Sequence, residues 1–419
     1  MSPRIFVSVL MLCCLVECSQ TATMAWAAEP SAPVYSLTDI LDLAVQHSPT
    51  LAGAEGLVKQ SHGQQISAGA YPNPVISGGA GKGSIRDPST GVSIIEHTVT
   101  VEQAFEWSAK RRARKEAASA GLAGATAGLQ EAKLNVLTEV KVAFYQLLLA
   151  QRDAELAVQN TAAVEEVART VKLRVSAGEA TSFDTMKANV ELQKAQKEAA
   201  RARNGLIVAQ SRLSTLTGGA MRKHFSIAGD FQVLTKDVDQ DRLVTQAFEQ
   251  HPALRRLTKV AEQAEHSVQF EKESRVPNIG VLGQYHREAG DESIIAGLIV
   301  PLPLWYQRKG EIETALGVKQ RAEAEQLRAQ NELEQAITQH VQEVRTAQEQ
   351  LAVFETGLLK QAEQTLTVAR TSFRHGAASL LDVLDAQRVY RQTLLDYAQV
   401  RADLSIALVR LERSIGAPL

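Results

Sequence analysis

The chain has few aromatic side chains, which make up 5% of its 419 residues, although 45% of the residues are hydrophobic. The apolar content is therefore mostly Ala, Leu and Val, which suits long helices better than a compact globular core. An excess of one charge sign is also missing, because 45 basic residues balance 47 acidic ones. Since no basic stripe with interleaved aromatics occurs, we expect no binding to nucleic acid.

Cysteine is nearly absent, and all three cysteines lie near the start, at Cys13, Cys14 and Cys18. They fall in a segment with one early positive charge, an apolar run and a small-x-small motif at 25–27. This pattern predicts a secretory signal peptide over residues 1–27. A lipid anchor at Cys18 is not expected, because Glu17 occupies a position that needs a small residue. The remaining chain then has no cysteine for disulfides or thiol chemistry.

Long hydrophobic runs are missing after the leader, where nothing approaches the ~18 to 20 consecutive apolar residues of a membrane helix. Contact with a membrane would therefore have to be made through β-strands. Catalytic signatures are missing as well, including the phosphate loop, the nucleophile elbow and the paired His-Glu metal motif. The nine histidines include no pair four residues apart. We expect no enzyme activity, no cofactor and no metal site.

An internal duplication organises what is present. Residues 107–218 align without a gap onto residues 305–416 at a constant offset of 198. Upstream the match continues with small shifts, and Pro49 pairs with Pro252. The sequence therefore predicts two repeated units, at about 36–218 and 240–416, with a connecting segment at 219–239.

Each unit contains a heptad pattern of small and aliphatic residues, which is typical of coiled coils. In the first unit the pattern predicts a long helix at about 109–175 and a returning helix at about 182–217. In the second unit the corresponding helices are predicted at about 307–373 and 380–415. Gly178 and Gly376 lie at the turns of these antiparallel hairpins, where a left-handed residue is favoured.

A different pattern precedes each long helix. Residues 92–105 alternate, with Val99 and Val101 on one face and Thr98 and Thr100 on the other. We predict β-hairpins at about 75–105 and 279–303, hence a mixed α+β fold that is mainly α. Four strands cannot close a cylinder in lipid without unpaired backbone groups, so a barrel would have to be shared between chains. Two chains would supply about eight strands and three about twelve, and an aqueous pore favours three.

Several motifs together resemble one family. They are the segments Glu-Trp-Ser-Ala-Lys-Arg at 106–111, Val-Pro-Leu-Pro-Leu-Trp-Tyr-Gln-Arg-Lys-Gly-Glu-Ile at 300–312, and the turns at 174–178 and 373–376. This combination resembles the TolC-like outer membrane efflux family, in particular its CzcC-type cation-efflux branch. The resemblance implies a homotrimer with a twelve-stranded barrel in the outer membrane of a Gram-negative bacterium. It also implies a periplasmic helical tunnel whose tips meet an adaptor protein, and through it an inner-membrane RND pump.

The expected function is a passive exit duct for heavy-metal cations. A conduit for drug efflux or type I secretion is an alternative within the same class, because a duct passes whatever its pump delivers. A periplasmic coiled-coil scaffold without a pore is an alternative from another class. The alternating strands and the flanking prolines argue against a scaffold.

Asp382 and Asp385 follow the second turn. By the resemblance, these carboxylates line the tunnel entrance, where three-fold symmetry would make each a ring that attracts cations. The simpler interpretation is that they stabilise the start of a helix. For Asp184, the counterpart in the first unit, a helix cap or ion pair is the preferred interpretation.

The resemblance also assigns adaptor contact to the two turns, at Gly178, Ser182, Asp184, Gly376, Ser379 and Leu380. A structural role, with Gly for the turn and Ser for the cap, explains the same residue types. The tyrosine and arginine that latch the closed state in well-known members are replaced by Phe373 and Ala378. The resemblance therefore leaves Arg370 or Arg374 as candidates for a substitute latch. The basic run at 110–115 is expected to be a solvated helix face, with outer-membrane lipid headgroups as the alternative.

Overall fold

The computed structural model describes residues 33–84, 93–222, 225–233, 239–288 and 290–419. The predicted leader at 1–27 lies outside these residues, as do residues 85–92 and parts of the predicted connecting segment at 219–239. Within the described ranges, the elements of the first unit are β1 (Val34–Tyr35), α1 (Leu37–His47), α2 (Pro49–Gly69), β2 (Val75–Ser84), β3 (Ser93–Phe105), α3 (Ser108–Ser176) and α4 (Ser182–Leu216).

The second unit repeats this order. It consists of β4 (Ser226–Ile227), α5 (Gln240–Gln250), α6 (Pro252–Glu273), β5 (Ile279–Glu288), β6 (Asp291–Ile299), α7 (Lys309–Val353), a π-helical turn (Phe354–Leu358), α8 (Leu359–Arg374) and α9 (Leu380–Ile415). The chain is mainly helical with few strands, as the sequence predicts. Helix α3 has 69 residues, which corresponds to roughly 100 Å.

The long helix predicted at 307–373 is not continuous, which corrects that expectation. It is interrupted by the π-helical turn, within which Gly357 leaves the helical region of φ and ψ. At the equivalent position α3 has Gln159 and stays helical. Glycine costs about 1 kcal/mol in a helix interior, so the break occurs where the helix is locally weakest. Phe354 packs there against Tyr397, with ring centroids 5.9 Å apart.

The long strands form one antiparallel sheet in the order β2-β3-β5-β6. The two repeated units meet at its centre, where β3 pairs with β5 and Phe105 lies opposite Ile279. Strands β2 and β6 are the edges, and neither has a second partner strand among the described residues. The sheet is therefore open within one chain.

The two faces of the sheet differ in polarity and in exposure. On β3, Val99, Val101 and Phe105 are exposed, whereas the alternating polar residues on the other face are half-buried. On that polar face Thr98 Oγ1 lies 3.0 Å from His286 Nδ1. The apolar side chains of this strand thus point away from the covered side of the sheet, which is the reverse of a globular core.

In each unit the hairpin of long strands is preceded by one helix and followed by another, and α6 packs extensively against both α3 and α7. Helix α2, its counterpart in the first unit, packs along α3 but has no second long helix beside it in the part of the chain that the structure describes. Two apolar cores lie at mid-length, one around α1, α3 and α4 and the other around α5, α7 and α9. In the described part of the chain, no helix combines the length and the apolar character needed to cross a membrane.

Candidate functional site at the hairpin tips

The two hairpin turns, 177–181 and 375–379, are built alike. Gly178 has φ +77° and Gly376 has φ +76°, so both adopt the left-handed conformation that the sequence predicts. One residue further on, the backbone N–H of Glu179 donates to the Arg174 carbonyl, and that of Ala377 donates to the Ser372 carbonyl, each at 2.8 Å. These bonds satisfy helix-end carbonyls that would otherwise lack donors.

Each returning helix begins with a reciprocal capping box. In α9 the Ser379 backbone N–H and hydroxyl each donate to Asp382 Oδ2 at 2.8 Å, and the Asp382 N–H donates back to Ser379 Oγ at 3.3 Å. In α4 the pair is Thr181 and Asp184, so the cap is Thr181 and the neighbouring Ser182 is the first helical residue. Hydrogen bonds from the capping residues lower the pKa of both Asp382 and Asp184.

Asp382 nevertheless remains exposed, so capping the helix leaves its charge facing solvent. Asp385 lies one turn further along α9 and is exposed as well. Its Oδ1 accepts from Arg388 Nη1 at 2.8 Å, and Arg388 Nη2 lies 3.7 Å from Glu191 Oε2 of α4. The capping and ring interpretations of Asp382 are therefore compatible, whereas the charge of Asp385 is partly offset by Arg388.

The two tips are joined by an apolar cluster. Its buried members are Val167, Val171, Ala188, Phe373, Leu380, Val383 and Leu384. Leu380 is therefore covered in this conformation, and the neighbouring Leu381 is the leucine that faces solvent.

A polar contact also spans the two tips. Arg174 Nη1 donates to the backbone carbonyl of Phe373 at 3.2 Å, and its guanidinium lies 5.2 Å from the centre of the Phe373 ring. Arg370, one of the two arginines expected to form a substitute latch, instead bonds Gln387 at 2.6 Å. The Arg174 link is thus supplied by the first hairpin, which sequence reasoning missed, and Gln387 adds a second link by donating to Asn160 Oδ1 at 3.2 Å.

Exposed apolar side chains on the first tip were also missed. Leu173, Phe183 and Met186 are all more than half exposed. A signal for them was present, since these large apolar residues fall outside the heptad seam of their helices. Among the described residues, no group of three or more His, Cys, Asp or Glu side chains is arranged to hold a metal ion.

Comparison with known proteins gives one family match that covers both repeated units. Residues 40–219 and 243–417 match the family described as outer membrane efflux protein. The cobalt-zinc-cadmium resistance protein CzcC of Cupriavidus metallidurans is similar to this chain, with 25% identity over 383 residues, 91% of this chain and 90% of CzcC.

Solved structures share the fold. A membrane protein from Pseudomonas aeruginosa superimposes with a TM-score of 0.80 at 18% identity, covering 93% of this chain and 92% of the other. The Campylobacter jejuni CmeC outer membrane channel superimposes with a TM-score of 0.79 at 15% identity, covering 96% of this chain and 93% of CmeC. At these identities the likeness concerns the architecture.

Proposed function

This chain belongs to the outer membrane efflux protein family, and from that premise we infer that it is the outer-membrane exit duct of a tripartite efflux system. It is a passive conduit and not an enzyme, so the energy for transport comes from a partner. Most of its mass lies in the periplasm, where α3 alone extends roughly 100 Å. The finer points of assembly and cargo are proposals, each supported by a particular observation.

We propose that the duct is a homotrimer, and the duplication within the chain supports this. Inside one chain, β3 and α3 of the first unit join β5 and α6 of the second. The elements equivalent to β3 and α3 are β6 and α7, and those equivalent to β5 and α6 are β2 and α2. Joining β6 and α7 of one copy to β2 and α2 of the next would repeat the internal junction and close a ring.

Complementary surfaces at the two ends support this closure. At the internal junction a Cβ on Gly128 of α3 would lie 3.3 Å from Arg256 Cδ of α6. At the proposed junction Gln326 of α7 is equivalent to Gly128, and Gly53 of α2 is equivalent to Arg256. The glycine and the large side chain therefore stand on opposite helices compared with the internal junction. A Cβ on Gly53 would meet nothing within 4 Å in one chain. The space beside Gly53 is thus open to a side chain from a second copy. Within its own chain Gln326 Nε2 donates to Thr258 Oγ1 of α6 at 3.1 Å, so Gln326 would contact the next copy from beside this bond.

The strand count favours three copies. Four strands from each chain would give about twelve, enough for an aqueous lumen, whereas two chains would give about eight, whose interior side chains nearly fill the space. The exposed apolar face of β3 suits lipid and its polar face suits a water-filled interior. This arrangement also removes the two open sheet edges, which could not remain unpaired in hydrocarbon.

We propose heavy-metal cations as the cargo, because the similar protein CzcC is a cobalt-zinc-cadmium resistance protein. The exposed carboxylates Asp382 and Asp385 support this, since in a trimer they would form rings at the tip end of the duct. A ring of carboxylates concentrates cations and repels anions. The pump would be of the RND type, reached through a periplasmic adaptor that docks on the tips around Gly178, Ser182, Gly376 and Ser379.

Two measurements test the function. Purified protein reconstituted in planar bilayers should give stable, cation-selective channels. A strain that lacks this protein but keeps its pump and adaptor should lose tolerance to cobalt, zinc and cadmium and regain it on complementation. Unchanged metal tolerance with increased drug sensitivity would refute the cargo, and recovery only as a soluble periplasmic protein without conductance would refute the duct.

A further inference from the structure

The basic run at 110–115 lies where the sheet ends and α3 begins, and the structure divides its side chains into two groups. Arg111 donates to the Gly69 carbonyl through Nε at 3.2 Å and Nη2 at 2.6 Å. Arg114 Nε donates to the Ala68 carbonyl at 3.0 Å. These carbonyls end α2 and need donors, so both arginines hold the helices together.

Arg112 and Lys115 form the second group. Both are exposed, and neither makes an ion pair or hydrogen bond with any residue in the described ranges. They line one groove of about 600 Å³ together with Tyr71 and Arg111, and the Arg111 guanidinium stacks 3.9 Å from the centre of the Tyr71 ring. Glu116 also lines the groove, where its Oε2 lies 3.4 Å from His266 Nδ1. Arg112 and Lys115 thus bring two positive charges to the groove that have no direct partner among the described residues.

The same groove contains a buried acid. The Glu106 side chain lines it and is only 3% exposed. Its Oε1 accepts from Arg114 Nη1 at 2.5 Å, but its Oε2 is buried without a hydrogen-bond partner among the described residues. A buried carboxylate oxygen without a donor is costly, and a ligand that brings an N–H into the groove would remove that cost.

We propose that this groove binds the headgroup of a phospholipid with a primary ammonium group, a phosphoethanolamine. The phosphate would pair with Arg112 and Lys115, and the ammonium would donate to Glu106 Oε2. Adjacent cations and a carboxylate complement a zwitterion of this kind better than a purely anionic headgroup. A choline headgroup carries the same phosphate but has no N–H to donate.

The position of the groove agrees with this ligand, and the inference rests on the proposed membrane-crossing sheet. Glu106 immediately follows β3, so the groove lies at the end of that sheet, at the level of a membrane–water interface. Tyr71 and Trp107 are at least half exposed beside it, as is typical of aromatic residues at such interfaces. The groove would hold a lipid of the leaflet nearer to the helices.

The test uses the purified, delipidated full-length oligomer in detergent. Short-chain phosphatidylethanolamine, phosphatidylglycerol and phosphatidylcholine are titrated, and binding is followed by native mass spectrometry. We expect phosphatidylethanolamine to bind best. Arg112→Ala with Lys115→Ala should weaken it about 30-fold, or about fivefold for each cation. Lys133→Ala, an exposed residue of α3 about 27 Å further along the helix, should have no effect.

Glu106→Gln isolates the ammonium contact. It should bring the affinities for phosphatidylethanolamine and phosphatidylcholine together while phosphate-dependent binding persists. Because Glu106 also pairs with Arg114, the thermal stability of the oligomer is measured in parallel. If this variant does not assemble, the comparison between phosphatidylethanolamine and phosphatidylcholine in the wild-type oligomer decides the ammonium contact alone.

Equal binding of those two lipids to the wild type, or undiminished binding by the double variant, would overturn the proposal. Tight binding of free O-phosphoethanolamine or inorganic phosphate would assign the groove to a soluble phosphate compound instead. The double variant Arg112→Glu with Lys115→Glu is also examined in lipid-free detergent. If its oligomers dissociate there, the groove is a contact between copies and not a lipid site. Conductance of the same samples separates the proposed lipid site from the proposed duct. Channels that conduct but show no headgroup preference refute only the lipid site. Wild-type protein that never conducts refutes the duct.

Discussion

Arg174 and Phe373 lie at the ends of different hairpins, and the arginine Nη1 donates to the phenylalanine backbone carbonyl across 3.2 Å. Arg174 also lies 3.5 Å from Glu179 of its own turn. Other polar contacts between the hairpins lie further along the helices, where Gln387 Nε2 donates to Asn160 Oδ1 and Arg388 lies 3.7 Å from Glu191. Arg174 is therefore the arginine that joins the ends of the two hairpins directly. Changing Arg174 should loosen the contact between the tips while the helices of both hairpins persist, at the cost of the ion pair with Glu179.

We therefore expect Arg174→Ala to shift the tips toward a more open state. Loss of a charged hydrogen bond costs about 1.5 kcal/mol, which is about a tenfold shift in a two-state equilibrium. Single-channel recordings should show larger or more frequent openings. Arg169→Ala is the matched control, because the one ion pair of Arg169 among the described residues is with Glu165 of its own helix. Identical recordings for both variants would exclude Arg174 as a clasp.

The exposed carboxylates of the second tip predict cation selectivity. Asp382→Asn with Asp385→Asn should lower the cation-to-anion permeability ratio by about tenfold, as measured by reversal potentials in a salt gradient. Asp184→Asn tests the first tip, where we expect a much smaller change. An unaltered ratio in the double variant would mean that these residues act only in capping and ion pairing.

Cation selectivity should also depend on pH, and the capping box between Ser379 and Asp382 should determine the pH at which it is lost. Hydrogen bonds from Ser379 lower the Asp382 pKa below its ordinary value of 3.8, so the carboxylate stays charged as the pH falls through that value. Ser379→Ala removes the hydroxyl donor and should move the acid loss of selectivity to higher pH. A pH profile that coincides with that of the wild type would contradict this role.

The proposed ring predicts a specific cross-link between copies. Gly53→Cys combined with Gln326→Cys should join neighbouring chains through a short bifunctional thiol reagent and give covalent dimers and trimers on denaturing gels. Gly128→Cys with Arg256→Cys is the control, because those positions face each other inside one chain and should cross-link without any increase in mass. Native cysteines do not interfere, provided that the leader is removed as predicted. Only monomers from the first pair would refute this junction.

His251 predicts acid sensitivity of the fold. Its Nδ1 accepts from the Ala253 N–H at 3.2 Å, and its Nε2 lies 3.1 Å from the Arg413 carbonyl oxygen, so the neutral ring caps α6 and joins it to α9. Burial lowers its pKa from 6.5. The stabilisation of the fold by the neutral His251 ring is therefore fully present above pH 6.5. It is lost as the pH falls through the lower pKa that His251 has in the folded state.

Replacing the cap by His251→Ala should cost about 1 kcal/mol at neutral pH. His251→Asn keeps an N-cap acceptor but cannot titrate, so its melting temperature should decline less between pH 7 and pH 5 than that of the wild type. Calorimetry across this range measures the difference. Parallel curves for the wild type and the Asn variant would show that other groups, such as the half-buried His340, cause the acid loss.

Much of the architecture could be predicted from local patterns. The heptad seam, the glycines at the turns and the alternation around Val99 depend on neighbours in sequence, and they agree with the helices, the left-handed turns and the strand observed. The break at Gly357 was missed, because a single glycine is tolerated in most helices and only its packing partners decide whether the helix opens. At the tips, the residue types predicted caps, but the contact between Arg174 and Phe373 joins residues 199 apart and leaves no periodic signal.

The sequence by itself determined the duplicated hairpins, the balance of helix and strand and the family, because these follow from periodicity and from motifs that are contiguous along the chain. Only the tertiary structure decided which arginines of the basic run are used internally, that Leu380 is covered while Leu381 is exposed, and that α2 has α3 as its one long neighbouring helix among the described residues. Those outcomes depend on which surfaces meet in space, and side chains of the same type are buried, paired or left open according to what lies across from them.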